Sequence, residues 1–205
     1  MEFQAWTELL QKIHNRSDYP EFNPDLARQV VLECSDFILP GIVQGAGQYP
    51  QSVAALVSGE SVYPFIELQR LTELPEILGS YEKAYTVLLL SLALHTRAAF
   101  LQAGLIAGNP QSQNGQPIYI EGKFRETRGY TVLLASLFPG NRVYTTEVQE
   151  ATSYGAALLG WASVLNRDVD DLKDMVNFEK NEVMAEIIPG LKNYREAFHR
   201  YISGS

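Results

Sequence analysis

Residues 117–165 constrain the fold most, because strand-forming and helix-forming stretches alternate there across short connections. The pattern predicts strands at 118–120 and 142–145, and helices at about 129–138 and 149–165. Strands that are joined through helices over so few residues belong to a parallel or mixed sheet that is covered by helices. We therefore expect an α/β fold.

The upstream part of the chain is predicted to be mostly helical. Apolar residues recur at helical spacing over the first fifteen residues, which indicates an amphipathic helix. Asn23, Pro24 and an acid directly after them form a strong helix start, with Asn23 as the N-cap. The longest helical segment, about 80–107, carries a wide apolar face and is expected to be a core helix.

Residues 37–52, FILPGIVQGAGQYPQS, contain three glycines and two prolines, which predicts a loop. Gly45 and Gly47 have the spacing of a phosphate-cradling turn. However, no predicted strand feeds directly into them and no Gly-Lys-Ser/Thr follows. A plain structural loop is the favoured interpretation.

Short helical pieces are expected at 52–77, and two terminal helices at 168–176 and 181–201. Only two strands of the chain are therefore clear from the sequence. We find no internal repeat, and we expect residues 1–205 to form a single domain.

Composition excludes several classes of function. The 205 residues carry 16 Lys and Arg against 24 Asp and Glu, so the net charge of -8 disfavours a nucleic-acid partner. Cys34 is the single cysteine and is expected to be a small core residue. The acidic N-terminus does not resemble a signal peptide, and the charge-free stretch 84–96 is too short to span a bilayer. We expect a cytoplasmic protein without a membrane partner.

The junction IYIEGKFRET, residues 118–127, is the first candidate site, because ligands collect beyond the carboxyl ends of strands in α/β sheets. Gly122 serves either a tight turn or a nucleotide-facing turn, and physical chemistry alone favours the tight turn. Three cations lie near the start of the next helix, where the macrodipole disfavours them unless an anion compensates. Either neighbouring glutamates or a phosphate could do so. The cations are Lys123, Arg125 and Arg128, and the glutamates are Glu121 and Glu126.

The second candidate is ATSYGAALLGW, residues 151–161, in which small residues lie close to one helix face. This face predicts close approach either by a neighbouring helix or by a nucleotide. Gly155 inside the helix costs about 1 kcal/mol relative to Ala, so a compensating contact is expected. His14, His95 and His199 are scattered without ligand spacing, and no hydrolase nucleophile motif is present.

Taken together, IYIEGKFRETRGYTVLLASLFPGNRVYTTEVQEATSYGAALLG resembles the carboxyl-terminal half of the FGGY carbohydrate kinases, especially the rhamnulose and fuculose kinase branches. That family has a strand ending in an acid and a glycine pair, a helix, a strand with a Val, and a Glu-containing helix start before Gly-Ala-Ala. The matching residues here are Glu121-Gly122, Val143, Glu150 and Gly155-Ala156-Ala157. LPGIVQGAGQYPQS and YEKAYTVLLLSLALHTRAAF extend the resemblance over most of 24–165.

The resemblance implies part of an actin-like or RNase H-like ATPase lobe, with few strands covered by many helices. It also implies ATP and Mg²⁺ as cofactors, with the glycine turn against adenosine. The implied nucleotide-binding residues are Glu121, Gly122, Lys123, Phe124, Gly155 and Ala156. The parent enzyme would phosphorylate a hydroxyl of a rhamnulose-, fuculose- or xylulose-like sugar.

Two departures from the family pattern matter. Lys123 stands where the family has its second glycine, and the family's phosphate loops and catalytic Asp precede every segment matched here. We therefore name no catalytic residue, and we expect the isolated chain to be inactive, with the sugar bound through a missing amino-terminal lobe. The alternatives are a non-catalytic binding or assembly module and an unrelated α/β nucleotide binder. Apolar surface that the absent lobe would cover also predicts self-association into a homo-oligomer.

Overall fold

The computed structural model describes residues 2–43, 45, 48–104, 115–148, 151–169, 171–172 and 179–203. The described helices are α1 Glu2–His14, α2 Pro24–Glu33, α3 Phe65–Leu68, α4 Tyr81–Gln102, α5 Arg128–Leu137, α6 Ala151–Leu165 and α7 Leu191–Ser203. The described strands are β1 Asp36–Leu39, β2 Ala55–Ser58, β3 Ser61–Pro64, β4 Ile118–Ile120, β5 Val143–Thr146 and β6 Lys180–Glu182. The α/β class is confirmed, with small sheets and many helices.

The described strands form two sheets of three. In the first, β1, β2 and β3 are antiparallel neighbours, with Phe37 opposite Val57. In the second, β4 runs parallel to β5, with Ile118 opposite Val143, and β6 pairs antiparallel on the other side of β5. The parallel pair predicted from the strand-helix alternation is therefore correct. The carboxyl ends of β4 and β5 consequently lie at the same edge of their sheet.

The predicted helix starts are also confirmed. The Asn23 side-chain oxygen accepts from the backbone N–H groups of Asp25 at 3.0 Å and Leu26 at 3.2 Å, so it caps α2. Ser80 caps α4 in the same way, accepting from the Lys83 N–H at 3.2 Å. Helix α2 ends at Cys34, which has a left-handed φ of 51° and packs at the margin of the core.

The loop predicted at 37–52 is wrong at its start, because residues 37–39 belong to β1. The prediction of short helices at 52–77 is wrong where β2 and β3 form a hairpin. Helix α3 and a 3₁₀ turn at Glu76–Gly79 follow the hairpin. All four residues of β1 are buried, so the strand lacks the alternation that identifies a half-exposed strand. Such a short apolar run carries too little periodicity to be distinguished from a loop.

The helix predicted at 181–201 is wrong in its first half. Residues 181–182 belong to β6, and α7 begins only after Gly190, which has a φ of 83°. All three side chains of β6 are exposed, so backbone pairing with β5 decides its conformation rather than an apolar pattern. Of the helix predicted at 168–176, residues 169, 171 and 172 are 3₁₀, while 170 and 173–176 lie outside the described residues.

Helix α4 is the centre of the hydrophobic core, where it packs against α1, α2, α5 and β1. By length and composition alone it could cross a membrane, but 61% of its most apolar window is buried inside the fold. That burial is typical of the central helix of a globular domain. Fully buried side chains around it include Trp6, Leu10, Leu90, Leu133 and Phe198.

Candidate functional site

The candidate site begins where β4 ends. Gly122 has a φ of 65°, and the chain then forms a 3₁₀ segment, Gly122–Glu126, before entering α5. This left-handed conformation explains the glycine, because side chains with a Cβ adopt it at a cost. A Cβ placed on Gly122 would meet no atom within 4 Å. The glycine therefore makes a tight turn, and the space beside the turn is open.

The ends of β4 and β5 are joined by polar contacts. The Thr146 hydroxyl, at the end of β5, donates to the Glu121 carboxylate at 3.4 Å. Arg125 Nη1 donates to the Thr146 carbonyl at 2.8 Å, and its Nε lies 3.8 Å from the Glu126 carboxylate. Glu121 and Arg125 thus fix the turn to the neighbouring strand.

The cations of this junction differ in what neutralises them. Arg125 has Glu126 as an acidic neighbour, whereas Lys123 and Arg128 form no ion pair within the part of the chain that the structure describes. Both side chains are exposed. The neighbouring glutamates therefore compensate only part of the positive charge, and two cations are left to meet an external anion.

An open groove of about 1100 Å³ lies directly beside this junction. One wall is α1 together with residues 19–22, and the other is the 3₁₀ segment and the start of α5. Its aromatic lining comprises Phe3, Tyr19, Phe22, Tyr85 and Phe124, and its charged lining comprises Glu8, Glu21, Lys123, Glu126 and Arg128. An apolar lining with a few charged groups is typical of sites for small molecules, and the volume is large enough for a nucleotide.

Phe124 is held at the edge of the groove by other rings. Its ring centroid lies 5.5 Å from that of Phe3 in an edge-on arrangement and 5.1 Å from that of Tyr130. These contacts fix the ring while leaving 36% of Phe124 exposed. A fixed, part-exposed ring is a suitable surface for a flat ligand to stack on.

The sequence did not reveal the α1 wall of this groove. Helical periodicity correctly placed Phe3 on the inward face of α1, but no pattern indicated that this face meets the start of α5. The same wall contains Thr7, which is buried and whose hydroxyl has no hydrogen-bond partner within the described residues. Phe3 of α1 and Phe124 of the 3₁₀ segment are far apart in the sequence, so no local pattern reveals their contact.

The second candidate stretch lies elsewhere. Gly155 is part-buried and Ala156 is exposed, and neither lines the groove. Among the described residues, a Cβ on Gly155 or Gly160 would meet nothing within 4 Å, so no described helix packs closely against these glycines. Glu150 lies outside the described residues. Within the described structure, Lys123 and Phe124 line the groove, whereas Glu121, Gly122 and residues 155–156 do not.

No group of three or more His, Cys, Asp or Glu that could hold a metal ion occurs among the described residues. Mg²⁺ in ATP-dependent enzymes is often bound by only one or two carboxylates, with the substrate phosphates and water as its other ligands. The residues described here thus provide no dedicated metal cage, and any Mg²⁺ here would enter with a nucleotide.

The fold is similar to that of a solved protein, a carbohydrate kinase from Novosphingobium aromaticivorans. The two chains are 19% identical with a TM-score of 0.57, and the match covers 99% of this chain and 32% of that one. This chain therefore spans about a third of the length of that kinase. The likeness shows the class of fold, an α/β fold that this chain shares with part of that kinase.

The sequence matches the family described as carbohydrate kinase FGGY, C-terminal domain, over residues 2–168. Because this match covers most of the chain, the protein belongs to that family. The match also includes α1, which the sequence resemblance over 24–165 did not reach. A comparison with curated protein sequences found no match.

Proposed function

We propose that this chain is the nucleotide-binding portion of an ATP-dependent sugar kinase. The proposal rests on one observation above all: a groove of nucleotide size begins directly after the turn at Gly122, with exposed Lys123 and Phe124 in its wall. Membership of the FGGY family supplies the reaction class. The whole enzyme would transfer the γ-phosphoryl group of MgATP to a hydroxyl of a rhamnulose-, fuculose- or xylulose-like sugar.

In this proposal each residue has a distinct role. Phe124 presents a fixed ring for the flat base, and Lys123 and Arg128 supply charge for the phosphate groups. Gly122 allows the left-handed turn and leaves open space for the ligand. Glu121 and Arg125 hold the turn against β5 through Thr146. Gly155 and Ala156 would approach the nucleotide only if other parts of the whole protein change the position of α6.

Phosphoryl transfer depends mostly on positioning and on electrostatic stabilisation of the transition state. We propose that the sugar pocket and the catalytic Asp belong to an amino-terminal lobe outside residues 1–205, and that these residues form a single domain. Without that lobe the sugar and the nucleotide are not held in position for reaction. The rate of phosphoryl transfer by this chain alone would therefore be negligible. We place the enzyme in the cytoplasm, as part of carbohydrate metabolism.

A second function is favoured by a specific observation, the presence of Lys123 where the family has glycine. In this alternative the chain is a non-catalytic binding or assembly module that is derived from the kinase scaffold. The exposed apolar side chains of α6 would then serve contacts with another protein chain or with a second copy.

Isothermal titration calorimetry with ATP, with and without Mg²⁺, tests the proposal. We expect the wild type to bind ATP and Gly122→Val to lose binding, because a β-branched side chain disturbs the left-handed turn that places Lys123 and Phe124 in the wall of the groove. The matched control is Gly59→Val. Gly59 has a φ of 60° and equally open surroundings, but it lies in the β2–β3 turn, away from the groove.

Each substitution forces a β-branched residue into a left-handed conformation, which costs about 1–3 kcal/mol, so both variants carry a similar strain. Loss of binding in Gly122→Val but not in Gly59→Val supports the groove as the nucleotide site. If the folded wild type does not bind ATP but Lys123→Gly does, Lys123 closes the site and the module is favoured. If neither binds, the nucleotide assignment for this groove is wrong.

A further inference from the structure

Three elements that are distant in sequence meet around Tyr49. The Tyr49 hydroxyl lies 3.3 Å from Nδ1 of His199 on α7, and its ring centroid lies 5.8 Å from that of His95 on α4. His95 in turn lies 5.6 Å from the Phe198 ring, measured between centroids. Two histidines that appeared scattered in the sequence are therefore neighbours in the fold.

Two arginines face the same region, Arg97 on α4 and Arg195 on α7. Burial lowers the pKa of the Arg97 guanidinium, and the charge of Arg195 lowers it further. Burial also lowers the pKa of His199, and the charges of Arg195 and Arg97 add to this effect. Arg195 and His199 are four residues apart on α7, so their side chains lie on the same face of that helix.

Acidic side chains do not neutralise this cluster. Within the described residues neither Arg97 nor Arg195 forms an ion pair. Glu2 on α1 lies 3.9 Å from Nδ1 of His95, but its other oxygen accepts from two backbone N–H groups, those of residues 41 and 42. Glu196 on α7 lies 3.9 Å from Lys192. Within the part of the chain that the structure describes, no ion pair compensates the charge of either arginine.

One donor of the cluster is both buried and unsatisfied. Arg97 Nε is inaccessible to solvent and has no hydrogen-bond partner within the described residues. An unpaired donor of a charged group is costly to bury, and such groups are normally paired with an anion. The unsatisfied guanidinium donor indicates a missing anion, and the charges of Arg195 and Arg97, which lower the pKa of His199, are consistent with one.

We propose that Arg97, Arg195 and His199 form a binding site for a small phosphate-bearing oxyanion, with the Tyr49 hydroxyl as a further donor. Guanidinium groups match tetrahedral oxyanions because their N–H groups form a planar fork. His199 becomes a better donor when it gains a proton beside the anion. The site joins α4, α7 and the segment between β1 and β2.

This site is separate from the proposed nucleotide groove. None of Arg97, Arg195, His199 and Tyr49 lines that groove. The anion site can therefore be present while the nucleotide proposal fails, and the reverse also holds, so the two proposals need separate readouts.

Thermal unfolding tests the site, with potassium phosphate compared against potassium chloride at equal ionic strength. At phosphate concentrations of about ten times Kd, we expect the wild-type Tm to rise by about 3 °C relative to chloride. Arg97→Gln and Arg195→Gln should each lose this difference. Lys192→Gln is the matched control, since it removes one positive charge from an exposed side chain of α7 and should retain the difference.

Phosphate also stabilises proteins through exclusion from their surfaces, which acts on all variants alike. An equal phosphate effect in the wild type, both arginine variants and Lys192→Gln would overturn the proposal. A second readout is the pKa of His199 by NMR, which should rise on addition of phosphate while the NMR signals of the His14 ring stay unchanged. No change at His199 would also overturn it.

Addition of ATP or of inorganic phosphate to the Gly122→Val variant distinguishes the two possible sources of the phosphate group. If ATP reproduces the rise in the His199 pKa in that variant, the anion site accepts the phosphate groups of a nucleotide. If only inorganic phosphate does so, the site is specific for a small free phosphate. Both results support the site and identify its ligand.

Discussion

Helices α4 and α6 are both mostly apolar in composition, but one is buried and the other is exposed. Helix α6 has no charged residue, and α4 has only a few over 22 residues. In α4, side chains such as Leu90 and Val87 are completely buried. In α6, Ala162 is the only described side chain that is buried, and the large exposed ones are Tyr154, Leu159, Trp161, Val164 and Leu165. Apolar composition therefore indicates that a helix is to be buried, but it does not show which element packs against it.

This difference between α4 and α6 is consistent with a chain that spans about a third of the length of a kinase with a similar fold. An apolar helix that is exposed on several sides is normally buried in a larger assembly. Among the described residues, α4 is covered by other elements of the fold, whereas most side chains of α6 are exposed.

The largest expected effect comes from truncating one leucine in each helix. Leu90→Ala should reduce the free energy of unfolding by about 2–5 kcal/mol, because it leaves a cavity beside fully packed neighbours. Leu159→Ala, at a side chain that is 63% exposed, should change it by less than about 0.5 kcal/mol. Urea denaturation of both variants measures the difference. Equal losses would show that α6 is packed as tightly as α4.

An intermediate effect is expected from pH through His95, which lies on the buried side of α4. Burial lowers the pKa of His95 from 6.5 to about 4, although Glu2 opposes this. The folded state therefore favours the neutral ring, so the stabilisation is fully present above pH 6.5 and is lost as the pH falls towards 4. At about 1.4 kcal/mol per pKa unit, the loss is at most about 3 kcal/mol.

Urea denaturation at pH 7.5, 5.5 and 4.5 checks this expectation, with His95→Gln as the comparison. The variant should lose less stability than the wild type over this range. Identical pH profiles for the two proteins would contradict it. His199, whose pKa is also lowered by burial, contributes in the same direction and is present in both proteins.

The smallest expected effect on stability is that of Trp161→Ser in α6. Because Trp161 is 56% exposed, we expect the free energy of unfolding to change by less than about 0.5 kcal/mol. Self-association should nevertheless decrease, since a large apolar side chain is removed from the exposed surface. Sedimentation velocity at several protein concentrations measures this, with Tyr19→Ser as a control at another exposed aromatic. A wild type that stays monomeric at every concentration would leave α6 without a role in self-association.

Local signals in the sequence correctly predicted much of the fold. The cap at Asn23, the long core helix and the parallel strands β4 and β5 depend on short-range chemistry, which a single sequence shows directly. The hairpin β2–β3 and strand β6 were missed. Their four-residue and three-residue strands are too short for periodicity, and β6 exists because β5 offers a partner for its backbone.

The candidate site divides in the same way. The glycine turn and the charges at 121–126 were readable because they lie together in the sequence. The α1 wall of the groove and the cluster of Arg97, Arg195 and His199 were not, because their members are brought together only by packing. The pocket predicted to unite Gly122 with Gly155 stays a prediction.

The sequence by itself determined the class of fold, the family resemblance and the turn at Gly122, since each depends on residues that are close along the chain. The tertiary structure alone decided which apolar helix is buried and which cations lie side by side. The physical reason is that burial and electrostatic repulsion depend on distances in space, and packing between distant segments sets those distances.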